Sequence, residues 1–286
     1  MQQSTHYEHS GIAPVGGILL TLTGGLVAAS LLGALYGFLI FWSPFVYINL
    51  FITLGFGVLL GTAAGGLAKL GKIRNTGLVS VLALAVALFA YYAHWVVWTE
   101  LVTEAWILSV ASLSRLLSSI ADLGAWSIFG WTPTGFSLWA IWSIEALMVI
   151  GVGTLAAISV IDTPFCEDTG QWAKDETLTV HFKPLSGTVI PESPVSLLSN
   201  LEPAAIEAGT YAEVTVATVD GSELRCVSID NVVVEADKDG KQDTKKTSLV
   251  RHMLFDRENF ERLLSLSQGP AANSEFSPSG EMIVEG

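Results

Sequence analysis

Phe136-Ser-Leu-Trp-Ala-Ile-Trp142-Ser-Ile-Glu145-Ala-Leu-Met-Val-Ile-Gly-Val-Gly-Thr-Leu-Ala-Ala-Ile-Ser-Val-Ile161 runs directly into Asp162-Thr-Pro-Phe-Cys166-Glu-Asp168. The first stretch holds one ionisable side chain and exceeds the roughly 20 apolar residues a helix needs to cross a bilayer core. The seven residues after it carry three acids. The whole chain divides at the same place. Residues 1–161 hold four Lys/Arg against five Asp/Glu, a net charge of −1; residues 162–286 hold ten against twenty-two, −12, which together make the chain's −13. Overall the 286 residues are 51% hydrophobic and 14% charged, where a soluble domain carries about 25% charged residues.

Three further stretches have spanning length: residues 16–40, 45–67 after the Trp42-Ser43-Pro44 break, and 76–97. Only His94 and Glu145 interrupt the four with an ionisable group. The first is too long for a signal peptide and lacks a basic leader, so it reads as an uncleaved helix. The fold class expected is an α-helical membrane bundle of four transmembrane helices plus an outer interfacial helix, with a small C-terminal antiparallel β domain. Its parts are an N-terminal tail (1–15), the transmembrane domain (16–161), a cytoplasmic β-rich domain (162–267) and a disordered tail (268–286).

Charge sets the expected orientation. The loop after the second span carries Lys69, Lys72 and Arg74 without an acid, and the next loop has Arg115 against Glu100, Glu104 and Asp122. The positive-inside bias puts the first loop and both termini in the cytoplasm. Trp42, Trp95, Trp98, Trp106, Trp126, Trp131, Trp139 and Trp142 then all fall on the outer side, at the headgroup level such rings prefer. In the outer loop, Trp106, Ile107, Val110, Leu113, Leu116, Leu117 and Ile120 form a helical stripe. It fits an interfacial or re-entrant helix, or a fifth short packing helix.

Small residues recur every fourth position: Gly25, Ala29, Gly33 and Gly37, then Gly57, Gly61 and Gly65. Each set makes a flat face that permits close helix approach. The expectation is a tight hairpin of the first two helices, against a homo-oligomer interface or pore lining.

A carboxylate at the depth of Glu145 costs at least about 2.5 kcal/mol on insertion scales, so it should face the bundle interior, stay protonated or find a partner. His94 lies at comparable depth, and an imidazole–carboxylate hydrogen bond between them is expected. Tyr36, Tyr47, Asn49, Tyr91, Tyr92 and Glu100 could complete a polar cavity open to the outside. The functional alternative is an ion or proton site with Glu145 titrating and His94 tuning it; the structural one is a bond that ties two helices.

The polar half reads as strands at 177–182, 211–219, 222–229, 231–236 and 247–254, with helices around 204–208 and 256–266. Asp220-Gly221 and Asp239-Gly240 mark turns. The acids around residues 237–243 lack EF-hand spacing and read as a solvated tip. His181 and His252 stand in strand-like runs without a nucleophile motif. Cys166 and Cys226 are too few for a disulfide framework, and with no paired histidines they fall short of the three or four ligands zinc needs. The acidic half also repels phosphate, which argues against nucleic-acid binding.

Leu35-Tyr36-Gly37 through Pro44-Phe-Val-Tyr47-Ile-Asn49, Gly71-Lys72-Ile-Arg74-Asn75, His94-Trp95-Val-Val-Trp98 and Trp142-Ser-Ile-Glu145 resemble a group of bacterial four-span inner-membrane proteins without an assigned activity. Those proteins carry a cytoplasmic zinc-ribbon-like module, to which Pro164-Phe-Cys166-Glu-Asp-Thr169-Gly-Gln-Trp172 is similar. This chain departs from the pattern at Thr169 and at the second pair, where only Cys226 remains. The resemblance therefore implies a degenerate ribbon held by packing, with no metal or other cofactor.

No catalytic constellation is evident, so the chain is expected to be no enzyme. The first expectation is a bacterial inner-membrane anchor, adaptor or sensor that presents its β domain to a cytoplasmic protein partner, as a homo-oligomer in the bilayer. The alternative is a proton- or cation-linked channel or transporter built on Glu145 and His94.

Overall fold

The structure, a computed structural model, describes residues 5–43, 46–127, 130–186, 191–204, 209–236 and 242–267. The expected tail at 268–286 lies outside them, as do the 237–241 part of the expected tip and residues 205–208 of an expected helix. The chain forms two units: residues 9–162, and residues 163–286 together with 1–8.

The first unit holds α1 (Val15–Trp42), α2 (Val46–Leu70), α3 (Thr76–Thr103), α4 (Val110–Leu123) and α5 (Phe136–Ile161). All but α4 are long and apolar enough to cross a membrane, and they make this an integral membrane protein. At 1.5 Å per residue the 28 residues of α1 extend about 42 Å. Leu31, Phe51, Leu88 and Leu147 point outward, as lipid-facing side chains do.

The small-residue stripes decide the pairing, but not as a hairpin of α1 on α2. A Cβ on Gly33 would stand 2.7 Å from the Ala90 carbonyl oxygen, and one on Gly37 3.0 Å from that of His94, both on α3. On α2, Gly57 faces Val149 and Val152, Gly61 the Gly153 oxygen at 2.1 Å, and Gly65 the Ala157 oxygen at 2.7 Å, all on α5. Each stripe thus meets a helix distant in sequence, because α3 and α5 bring small faces of their own, Ala83, Ala87 and Ala90 on one, Gly153 and Ala157 on the other. The four spanning helices form a ring in the order α1, α3, α5, α2. Gly17 and Gly71 make the close contact of α1 with the end of α2.

The turn after α2 is held by hydrogen bonds. Asn75 caps α3 by accepting from the Leu78 N–H at 2.8 Å, and Arg74 donates to the Lys72 carbonyl. Residues 11–12, expected as tail, pair with this turn: Arg74 N–H donates to Ile12 O, and Gly11 N–H to Arg74 O. Amphipathic α4 buries Leu113, Leu117 and Ala121 against Trp95, Leu138 and Trp142 and leaves Val110 and Leu123 exposed.

The second unit is built on an antiparallel sheet, β3 (Lys174–Thr177), β4 (Thr210–Thr218), β5 (Arg225–Ala236) and β6 (Gln242–Leu254), in that order. Before it, β1 (Phe165–Cys166) pairs with β2 (Gln171–Trp172). Alternation along β4 buries Ala212, Val214 and Val216. These join Ile229, Val250, Met253 and Phe182 in a core covered by α6 (Pro194–Asn200) and α7 (Arg257–Ser267) through Leu197, Leu198 and Leu263.

Several elements differ from expectation. The strand expected at 177–182 ends at Thr177, and Phe182 returns only as an isolated bridge to Ala212 and Pro203, its ring in the core. The runs at 222–229 and 231–236 form one strand, β5, whose partner β6 is longer than expected and absorbs the irregularity as register shifts near Ile229. Among the described residues this region also holds α6, started by a Ser193 cap and Pro194, a start signal legible in the sequence. Residues 5–7 are no free tail: His6 bridges Met253, and Tyr7 N–H donates to the His252 carbonyl, so they extend the β6 edge.

Candidate functional site

Tyr91, His94, Trp95 and Trp98 fall at i, i+3, i+4 and i+7 on α3, one face of a helix. Trp142 and Glu145 share a face of α5 in the same way. These faces meet at the end of the bundle distant from residue 15 and enclose a cavity of about 340 Å³. Asn49 of α2, Phe41 of α1 and Trp126 of the α4–α5 loop complete its wall. Its volume lies at the lower end for small-molecule sites.

Of the residues expected to act together, Glu145, His94 and Asn49 do line this cavity. The expected bond from His94 to Glu145 is not made. His94, 3% exposed, places Nδ1 at 3.1 Å from the Tyr91 carbonyl oxygen. A carbonyl can only accept, so Nδ1 carries the proton, and in that tautomer Nε2 is the acceptor. No described group donates a hydrogen bond to Glu145, and Asn49 Oδ1 is buried without a partner. Tyr91 stands behind the wall, its hydroxyl donating to the Trp142 carbonyl at 2.9 Å. Tyr47 is more than half exposed on the bundle's outside, and Tyr92 donates to the Leu108 carbonyl instead.

Tryptophan makes most of the apolar wall, a role that its reading as a headgroup anchor missed. Trp95 meets Trp142 edge to face with centroids 4.9 Å apart, and Trp98 at 5.5 Å. His94 packs on Trp95 at 4.6 Å. The signal was the spacing 94/95/98 and 142/145, which puts rings and polar groups on shared faces.

Behind His94 lies a packed layer. Tyr36, 1% exposed, stacks on Phe56 with centroids 4.4 Å apart and touches the His94 ring at 4.7 Å. Its hydroxyl shares a 2.8 Å hydrogen bond with Thr53. Below this layer the small faces of α1 with α3 and of α2 with α5 close the interior. Glu145 is the one charged residue among the described residues lining the cavity.

In the β unit, Cys166, Ala173, Ala217, Val219 and Cys226 form a second small core. Burial and the nearby Asp175 carboxylate push the Cys226 thiol up to about 12. Burial raises Cys166 too, but the polar groups around its sulfur, those of Thr169 first and then Ser222 and the Asp168 backbone, together outweigh it and leave the thiol below its ordinary value. The Ser222 hydroxyl itself donates to the Val219 carbonyl within the β4–β5 turn. Cys226 stands on β5, paired with Ala217 of β4, and is not the residue at that turn. No three His, Cys, Asp or Glu side chains converge as a metal site among the described residues.

Compared with known proteins, the chain matches no family model, no curated protein and no solved structure.

Proposed function

We propose that this protein is a membrane-anchored sensor or adaptor of a bacterial inner membrane. The bundle holds a ligand cavity at its outer end and presents the β unit to a protein partner in the cytoplasm. The orientation rests on Lys69, Lys72 and Arg74 in the α2–α3 turn. The observation that carries the reading is the layer behind His94: Tyr36, Phe56 and Thr53 are packed and hydrogen-bonded there, and a site backed in this way suits a molecule that binds and leaves by the same mouth. A permeation path needs successive sites that an ion can occupy and leave.

The second reading, proton- or cation-linked transport, is favoured by Glu145 and His94 sharing the cavity. Flux measurements separate the two. Purified protein in liposomes is expected to pass protons and cations no faster than protein-free vesicles. Flux abolished by Glu145→Gln would replace the sensor with a transporter. The partner half has its own test: crosslinking in native membranes should link residues 163–267 to a specific cytoplasmic protein, and a failure to do so removes the adaptor role.

A further inference from the structure

We propose that the outer-end cavity binds a small primary alkylammonium ion. This rests on the closed-cavity reading above and adds its ligand class. A carboxylate held among indole rings is stabilised by a cation, because a buried charge is tolerated when it is paired. Among the described residues Glu145 has neither an ion-pair partner nor a hydrogen-bond donor, and the cavity lining holds no Lys or Arg. The walls suit the same charge. Trp95, Trp98, Trp126 and Trp142 supply π-faces, and a cation within about 6 Å of an indole centroid is attracted by the ring quadrupole.

The acceptors narrow the class. Asn49 Oδ1 is buried with no donor, and the Nδ1–H bond to Tyr91 leaves His94 Nε2 an acceptor. The residues that carry these acceptors, Glu145, Asn49 and His94, therefore line one cavity, and a primary ammonium carries three N–H donors. A quaternary ammonium has none and leaves Asn49 unpaired, the kind of mismatch a polar site rejects strongly. Hard metal cations fit poorly: calcium takes six to eight oxygen ligands, whereas one carboxylate and one amide stand here among tryptophans. The alkyl part packs on the indoles. Such an amine comes either free in solution or as the ethanolamine headgroup of a lipid.

The test is a calorimetric and tryptophan-fluorescence titration of the purified full-length protein in detergent with butylammonium chloride, against sodium chloride at equal ionic strength. Saturable binding is expected, with tetramethylammonium at least tenfold weaker. Glu145→Gln should weaken butylammonium at least tenfold, and Asn49→Ala several-fold, in protein whose unfolding temperature is within a few degrees of the parent. Glu145→Asp should restore part of the loss, which keeps the test valid where Glu145→Gln folds poorly. Absence of saturable binding, equal binding of tetramethylammonium, or unchanged binding in both variants overturns the proposal.

Nanodiscs separate the sources. Phosphatidylethanolamine should compete with butylammonium if the headgroup is the ligand, and phosphatidylethanolamine and phosphatidylglycerol discs should behave alike if the amine is free. A protein that binds no amine and passes no ions loses the ligand class and keeps the closed cavity. Flux that depends on Glu145 removes the closed cavity whatever the titration gives.

Discussion

Gly61→Ala adds one methyl group at the tightest helix contact in the bundle. The new Cβ would stand 2.1 Å from the Gly153 carbonyl oxygen and 2.8 Å from Ala156 Cβ. The first obstacle is backbone and cannot rotate away, so α2 and α5 must part locally by about 1 Å to reach van der Waals distance. Over-packing of this kind costs about 1–3 kcal/mol. The better helix propensity of alanine returns up to about 1 kcal/mol, which leaves a net loss of about 1–2 kcal/mol. Gly55→Ala and Gly151→Ala are the controls: nothing lies within 4 Å of either new Cβ, so they should be neutral or slightly stabilising.

The assay is thermal and denaturant unfolding in one detergent, followed by circular dichroism, with chromatography to read the oligomeric state. Adding Ala156→Gly to Gly61→Ala removes one obstruction but not the oxygen, so less than half of the loss should return. A Gly61→Ala protein as stable as the parent refutes the assigned pairing. So does one that changes oligomeric state at unchanged stability, since the stripe would then face another copy.

Tyr36→Phe removes the hydrogen bond to Thr53 while Thr53 keeps its bond to the Asn49 carbonyl. The expected loss is about 1 kcal/mol in the same unfolding assay, and a larger one would mean the layer behind His94 collapses. Ile229→Ala, at a fully buried position of the β core, should cost about 2–5 kcal/mol, read as earlier proteolysis of the β unit while the spanning fragment persists. Cys226 supplies a pH test. Its thiol is held at about 12 against an ordinary 9.0, so the fold favours the protonated form. Its contribution is complete below pH 9 and falls by about 1.4 kcal/mol per pH unit above it. Relative to Cys226→Ala, the parent should therefore lose stability more steeply between pH 9 and 10.5 in urea titrations; parallel curves would show that the thiol is not held this way.

The spanning helices were legible because hydropathy reports each segment's own solvent, and a 26-residue run such as Phe136–Ile161 needs no partner to be recognised. Helix pairing was not legible for the opposite reason. Gly33 and Gly61 announce that some backbone approaches closely, but Ala90 and Gly153 are as flat as any glycine of the neighbouring span. Choosing among flat faces takes the whole ring of helices. The β unit shows the same division. Asp220-Gly221 marked a real turn, with Gly221 at φ 74°, whereas the break read between residues 229 and 231 is only a shift of register against β6. Nothing local distinguishes a bulged strand from two short ones.

The tryptophans show how a site can hide behind a statistical preference. Trp42, Trp106 and Trp131 are more than half exposed, as rings that serve only the headgroup region are. Trp95 and Trp142 are less than a tenth exposed at the same end of the bundle, so depth alone does not separate the two groups. Helical phase does. Trp142 stands three residues before Glu145, and Trp95 and Trp98 stand one and four after His94, whereas no ionisable residue of a span shares a face with Trp106 or Trp131. An indole that only anchors a helix has no physical reason to lie over a carboxylate that must be shielded. One that walls a charged cavity must do so, and the phase of aromatic against ionisable residues within a span is the feature that picks out the wall.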